Sequence, residues 1–467
     1  MIVNGYKLDD EQESIVKYNN NLIVVAGAGS GKTLTIIGKI KYLINNNIKP
    51  NEILCISFTN ASTNSLKEKI KDELNIDMNV YTFHKLGLEI LKSNNKDYKI
   101  ASVDTLDNII DEFLYVDVLN NKEFIKYINN YFNSNNYYKL LESKDIIVFK
   151  NLLKTFIYFM KCNGLNIYSF KALLFRAKLN IFHYKKDKIF LIIVLNIYLK
   201  YNKYLEDNNE IDFDDMIIKS INEVKNTNLK YKYIIVDEFQ DTSYIRFKLI
   251  QEIIKNTNSK IMVVGDDYQS IYRFTGCDIN IFLNFKKYIK NSKLLKITNT
   301  YRNSQELIDV ASKFIMKNKS QIRKKLKSNK HISNPIEIIY YDNIEYTINE
   351  LVKKLDKKIL ILGRNNMDLK LNINSNKDIS YMTIHKSKGL EFDNVIIVNL
   401  TNRLLGFPSK IKEERILKYI TKKEKYKYAE ERRLFYVALT RTKNKVYLLV
   451  PKKNESEFVS EIKKYIR

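Results

Sequence analysis

The chain of 467 residues contains no tryptophan, three cysteines and only 12 glycines. Cys55, Cys162 and Cys277 are scattered, so neither a disulfide framework nor a cysteine metal site is implied, and a reducing cytosol is the expected setting. No N-terminal stretch reads as charged and then apolar in the manner of a signal segment. The longest apolar run, IFLIIVLNIYL at Ile189–Leu199, is too short to span a bilayer and predicts a buried helix. The scarcity of glycine is informative in a different way. Gly27, Gly29 and Gly31 share one short stretch, Gly265 and Gly276 bracket another, and Gly389 lies in a third. Half of a scarce residue in three segments predicts special backbone geometry, or a close ligand, at those places.

What is present points to a folded protein. Hydrophobic content is 45% and charged content 28%, and the length allows about two to four domains. The net charge of +26 favours a polyanionic partner. A chain rich in Lys, Asn, Ile and Tyr is also what an AT-rich genome encodes, so the charge needs support from motifs.

The first hundred residues alternate between apolar strands and helices. NLIVVAGAGSGKTLTIIGKIKYLI predicts strand, glycine loop and amphipathic helix, and EILCISFTN and MNVYTFHKLGLEIL begin two further strand–helix steps. Between Ala101 and Glu210 the pattern becomes helical and rich in Tyr, Phe and Lys. From Ile211 the α/β rhythm returns, with YKYIIVDEF and KIMVVGDD reading as central parallel strands that end in acids. A second α/β unit is expected from about Lys286, starting with LLKITNT and ending with KVYLLVP.

Two segments carry nucleotide chemistry. AGAGSGKT follows a strand and opens a helix, so the amides of Ala26, Gly27, Ala28, Gly29, Ser30 and Gly31 can wrap phosphates at the positive helix end. Lys32 would bridge the terminal phosphates and the Thr33 hydroxyl would take a Mg²⁺ position. In IIVDEFQD, Asp237 would hold the Mg²⁺ and Glu238 would accept a proton from an attacking water. An acidic pair ending a buried strand is costly unless paired or metal-bound. Arg302 and Arg441 could stabilise transition-state charge, although spacing alone reads each more readily as a surface arginine. The stretch VVGDDYQSIYRFTGCD combines acids and an amide after a strand with an aromatic–cation–aromatic run, joining a nucleotide-site signature to a base-stacking one.

Together these segments resemble a superfamily 1 helicase of the UvrD/Rep-like group, in that family's order along nearly the whole chain. LDDEQ, AGAGSGKT, SFTNASTNSL, TFHKLG, DFDDM, DEFQDT, GDDYQSIYRFTG, TYRNSQELI, TIHKSKGLEF and EERRLFYVALTRT carry the likeness, and the texture, including GFP at Gly406–Pro408, is similar to helicase IV. The resemblance implies an α/β fold of two RecA-like parallel-sheet P-loop NTPase domains. Residues 1–100 and 211–285 would form the first, 101–210 a helical insertion in it, and 286–467 the second, without a 2B-type insertion. Arg302 and Met382 are 80 residues apart, which leaves no room for that domain. The N-terminal extension of longer helicase IV proteins is expected to be missing, as is a nuclease motif.

By the same resemblance Gln12 reads adenine, Tyr301 stacks on it, Gln269 senses the γ-phosphate, Arg302 and Arg441 contact that phosphate, and Glu391 meets the ribose. Phe58, Asn60, His84, Tyr272, Phe274 and His385 would contact DNA. Phe274 stands where many relatives carry Trp, Thr275 replaces a frequent arginine, and Leu34 occupies an often basic site. The implied function is an ATP- and Mg²⁺-dependent motor moving 3′→5′ on single-stranded DNA and unwinding duplex in DNA repair or recombination, in the cytoplasm and without membrane contact. A translocase with little unwinding, a nucleic-acid-binding module with a decayed ATPase, and an RNA substrate are the alternatives.

Overall fold

A computed structural model describes residues 1–356 and 358–466. Its frame is two sheets in which every strand pair is parallel. The six-stranded sheet is built from β1 (Leu22–Ala26), β2 (Ile53–Ile56), β3 (Val80–Tyr81), β4 (Tyr233–Val236), β5 (Lys260–Gly265) and β6 (Lys293–Ile297), in the order β6-β1-β5-β4-β2-β3. The five-stranded sheet contains β7 (Ile336–Tyr341), β8 (Ile359–Gly363), β9 (Ile379–Thr383), β10 (Phe392–Ile397) and β11 (Thr442–Pro451), in the order β7-β11-β10-β8-β9.

The continuous apolar runs are explained by burial on both faces. Ile23 and Val25 of β1 join Leu54, Ile234 and Val263 in one core cluster, while Leu22, Val24 and Ala26 join Ile53, Ile235 and Val264 in the other. Alternate residues of each strand thus feed opposite cores. The second sheet repeats the arrangement, with Leu360, Val395 and Leu448 on one side and Ile361, Ile396 and Leu449 on the other.

One expected boundary needs correction. The second α/β unit was expected to begin at 286, with LLKITNT as its first strand. That strand, β6, instead pairs with β1 through five rungs from Lys293↔Leu22 to Ile297↔Ala26, so the first sheet extends beyond 286. An apolar run states that a segment is buried and extended. It does not state which sheet receives it.

The segment between β3 and β4 is mostly helical. Lys144–Cys162 and Tyr184–Asp207 are its long helices, and Phe149, Leu153, Phe156, Phe190, Val194 and Ile197 fill its core. The run Ile189–Leu199 lies inside the second of these and buries Phe190, Leu191, Ile193, Val194 and Ile197. Two short parallel strands, Lys99–Ile100 and Glu210–Ile211, join its entry and exit. A strap from the second half of the chain reaches this core: Ile416, Leu417 and Ile420 pack into it, and Arg415 pairs with the buried Asp187. Between β8 and β9 the chain makes one 3-10 turn, Asn366–Leu369, and otherwise runs irregularly. Among the described residues no helix is long and apolar enough to cross a membrane.

Backbone geometry bears out the reading at four of the six glycines, Gly27 and Gly265 lying outside the positive-φ region. Gly29, Gly31, Gly276 and Gly389 all have positive φ. Elsewhere asparagine takes this role: among the described residues, eleven of the thirteen non-glycine residues with positive φ are Asn. Its short polar side chain tolerates the left-handed region, which is how a glycine-poor chain still turns.

Candidate functional site

The sheet order places β1, β5 and β4 side by side, and the three loops that leave their C-terminal ends carry most of the candidate residues. This is the edge at which parallel α/β sheets hold ligands. After β1 the glycine loop turns into the helix Lys32–Asn45, whose N-cap is Gly31 with φ of 77°. A side chain at Gly31 would meet the Gln12 Nε2 at 2.8 Å, and one at Gly29 would strike the Cβ of Arg302. Glycine is therefore required where these neighbours crowd the loop.

Gln12 is buried and donates to the Ser30 carbonyl at 3.3 Å. It is also the N3 residue of a capping box with Asp9, which orients its amide. The Tyr301 hydroxyl donates to Asp9 at 3.0 Å, and its backbone N–H donates to the Gly29 carbonyl at 3.0 Å. Its ring is 62% exposed, so one face is open beside the loop. Ala26 and Ala28 are buried, Gly27 packs against Leu326, and Thr33 is half-buried at the start of the helix.

Lys32 Nζ lies 3.1 Å from Glu238. Burial opposes its charge, but Glu238, Asp266 and Asp237 outweigh that and hold its pKa above the ordinary value. Asp237 and Glu238 titrate as a pair with opposite tendencies. Burial and the neighbouring Glu238 push the Asp237 carboxyl up, whereas Lys32 and Lys388 overcome burial and hold Glu238 down. Glu238 has φ of 47°, a left-handed conformation that a residue with a longer side chain than Asn or Asp adopts only when its surroundings impose it. The Gln240 amide donates to it at 2.6 Å.

The loop after β5 carries Gln269, whose Nε2 donates to Asp266 at 2.7 Å while its Oε1 accepts from Arg441 Nη2 at 3.1 Å. Arg441 is buried, and burial followed by repulsion from Arg302 pushes its pKa down to about 9, still charged at neutral pH. Arg302 donates to Glu391 at 2.9 Å, and Lys443 pairs with the same carboxylate at 2.9 Å. The structure thus shows Glu391 as the counter-charge of two cations.

The same loop continues into an aromatic cluster. The Tyr272 ring stacks on Phe58 with centroids 6.1 Å apart and planes 7° from parallel, and the Tyr272 hydroxyl donates to the His385 carbonyl at 3.0 Å. Phe274 is 57% exposed and meets the His385 ring edge-on at 5.2 Å. An open groove beside them is lined by Arg364, Thr383 and Lys386 as well. Arg246 covers the Phe58 ring at 4.9 Å and raises the potential around His84. Burial first, then Arg246 for His84 or Arg364 and Lys388 for His385, lowers both imidazoles to about 4, so both are neutral at pH 7. His84 meets Phe213 edge-on and, among the described residues, makes no ring contact with the Tyr272 cluster, and Asn60 is exposed at the start of the helix Asn60–Leu74.

Two lysines escaped the sequence reading. Lys324 is fully buried, pairs with Asp266 and lies 2.7 Å from Asp267, clamping the base of the Gln269 loop. Lys388 pairs with Asp241, donates to the Gln269 carbonyl at 2.7 Å and sits 4.8 Å over the Tyr272 ring. Lys388 belongs to KSKGLEF, whose position in that segment was the available signal. Lys324 had none in so lysine-rich a chain.

A model of the UvrD/REP helicase N-terminal domain matches residues 8–290, and one of the viral superfamily 1 RNA helicase core domain matches residues 212–450. The ATP-dependent DNA helicase Rep of Buchnera aphidicola subsp. Schizaphis graminum is 32% identical over 363 residues, which cover 75% of this chain and 50% of that protein. DNA helicase IV of Escherichia coli K12 is 28% identical over 491 residues, covering 97% and 69%. A probable DNA helicase of Mycoplasma pneumoniae is 26% identical over 479 residues, covering 95% and 83%. The chain thus spans about half the length of the Rep protein it matches.

Proposed function

The chain belongs to the UvrD/REP helicase family, and from that premise we propose an ATP-dependent motor that moves 3′→5′ along single-stranded DNA and opens duplex ahead of it. One observation carries this reading: a single loop holds both Gln269, hydrogen-bonded to Arg441 across the two sheets' units, and Tyr272, stacked on Phe58. A change at the nucleotide is therefore passed to the aromatic cluster without an intermediary.

In this reading Gln12 and Tyr301 hold the adenine, the amides of residues 26–31 wrap the phosphates, and Lys32, Arg302 and Arg441 face the γ-phosphate. The bound phosphate competes with Glu238 for Lys32. Losing that partner raises the proton affinity of Glu238 and makes it a better base toward water. The residues also fit a divalent cation, because partial burial and the neighbouring Glu238 disfavour the charge of Asp237 until a cation offsets them. Thr33 and Asp237 would hold Mg²⁺, which supplies charge neutralisation for the phosphates. Phe58, Tyr272, Phe274 and His385 offer faces for unstacked bases, with Asn60 and His84 beside the same path. Opening one base-pair step costs about 1.4 kcal/mol, which is small beside a hydrolysis-driven cycle. The setting this reading implies is a bacterial cytosol and the processing of damaged or recombining DNA.

Steady-state ATP hydrolysis without nucleic acid, with single-stranded DNA and with RNA of matching sequence tests the proposal. Strong stimulation by DNA alone, reduced about tenfold in Phe274→Ala, is the expected result. Equal rates in all three conditions would sink it. Unwinding of duplexes carrying only a 3′ or only a 5′ tail decides polarity and separates unwinding from translocation.

A further inference from the structure

The helical segment between β3 and β4 exposes a surface that the motor reading leaves unused. Helix Ser169–Lys178 buries Phe170, Leu173 and Ala177 toward the segment's core. Its opposite face repeats an apolar stripe at Tyr168, Ala172, Phe175 and Leu179, all exposed, and the following turn adds Ile181 and Phe182. Tyr168 is 86% exposed and Phe182 93%. A helix apolar on both faces is one that expects a cover, and exposed apolar clusters of this kind mark binding surfaces.

The charges around the stripe identify the cover. Lys171, Lys178, Lys185, Lys186 and Lys188 are all exposed, and among the described residues none pairs with a carboxylate. The only acid from 166 to 188 is Asp187, which is buried and already held by Arg415 and Tyr419. Arg176 reaches the Tyr419 carbonyl. The surface is thus exposed rings and aliphatic groups interleaved with unopposed cations. Single-stranded nucleic acid has the matching chemistry, since bases stack on rings without regard to sequence and phosphates meet the lysines. Duplex hides its base faces and gains nothing from the rings. A second copy of this chain, at +26, is repelled.

We infer that this face is a second single-strand site, and that its occupant is the strand displaced during unwinding. The tracking strand has its own ring cluster at Phe58, Tyr272, Phe274 and His385, and among the described residues no ring contact joins residues 168–182 to it. The inference rests on the motor reading. Holding the displaced strand on a separate element keeps it from re-annealing behind the cleft.

The test compares binding of the full chain to two DNA probes, a 3′-tailed duplex and the same duplex with a non-complementary 5′ tail added. The expected result is about tenfold tighter binding of the fork, from the stacking of one or two bases. In Tyr168→Ser/Phe175→Ser/Phe182→Ser the fork falls to the level of the 3′-tailed duplex, while affinity for that duplex and DNA-stimulated hydrolysis are unchanged. All three side chains are exposed, so the variant keeps the core of the segment. A photo-crosslink from the 5′ tail mapped to residues 168–182 is the positive signature. Equal binding of both probes by the unaltered chain, or an equal loss on both in the variant, overturns the inference and leaves the face to a protein partner or to the tracking strand. Absence of DNA-stimulated hydrolysis in the unaltered chain overturns the motor reading as well, so the two failures are distinguishable.

Discussion

Positive charge is used in opposite ways at the cleft and on the outer helix between β3 and β4. At the cleft three cations with buried side chains have acid partners, Lys324 with Asp266 and Asp267, Lys388 with Asp241 and Arg433 with Glu424, while the buried Arg441 is held by Gln269 and by the Val437 and Leu390 carbonyls. On the outer helix Lys171 and Lys178, and at the start of the next helix Lys185, Lys186 and Lys188, are exposed and without carboxylate partners among the described residues, Lys186 lying 4.6 Å over the Tyr131 ring. The difference follows from solvation. A buried ion left alone costs several kcal/mol, so the cleft must supply counter-charges, and these fix where each cation points. An exposed lysine loses nothing by remaining unpaired and stays available to a polyanion. The net charge of +26 is therefore informative at the surface, whereas function at the cleft depends on paired charge.

The sharpest break in this comparison comes from Arg441. Arg441→Ala removes the donor to Gln269 and a charge at the expected γ-phosphate position, and single-turnover ATP hydrolysis should fall about 10³–10⁵-fold. Lys324→Met tests the buried pairing itself. It leaves two carboxylates uncompensated, and denaturant unfolding should show a loss of about 3–5 kcal/mol, relieved when Asp266→Asn and Asp267→Asn are added. The exposed counterpart, Lys185→Ala/Lys186→Ala, should change stability by no more than about 0.5 kcal/mol while flattening the salt dependence of DNA binding.

The remaining effect concerns protons. His84 and His385 have pKa values lowered to about 4, against about 6.5 in an unfolded chain. Above about 6.5 both states are neutral and nothing is lost. As pH falls toward 4 the unfolded chain takes up protons that the folded one refuses, so stability declines. The unfolding midpoint should fall between pH 7 and pH 5, and fall less in His84→Asn/His385→Asn.

Much of the cleft was legible because its residue types are rare outside such chemistry. AGAGSGKT has one plausible backbone, and an acidic pair closing a buried strand demands a partner. The sequence could not say that Lys324 is such a partner, because 79 lysines and arginines offer no contrast from which to select one. Nor could it assign β6. LLKITNT has the same apolar texture as the strands of the second sheet, and only the rungs to β1 decide its place. The left-handed turns at asparagine were hidden for a related reason, since asparagine is abundant here and most copies adopt ordinary geometry.

The sequence alone determined the elements: buried strands from continuous apolar runs, helices from their period, and a phosphate loop from glycines followed by Lys and Thr. These depend on local backbone sterics and on how many faces of a segment must leave water. Only the tertiary structure decided that Arg441 meets Gln269, that Lys324 sits between two acids, and that one face of Ser169–Lys178 stays uncovered. Those are matters of which distant segments share a dry interior, where an ion's energy depends on its neighbours in space and not on its neighbours in the chain.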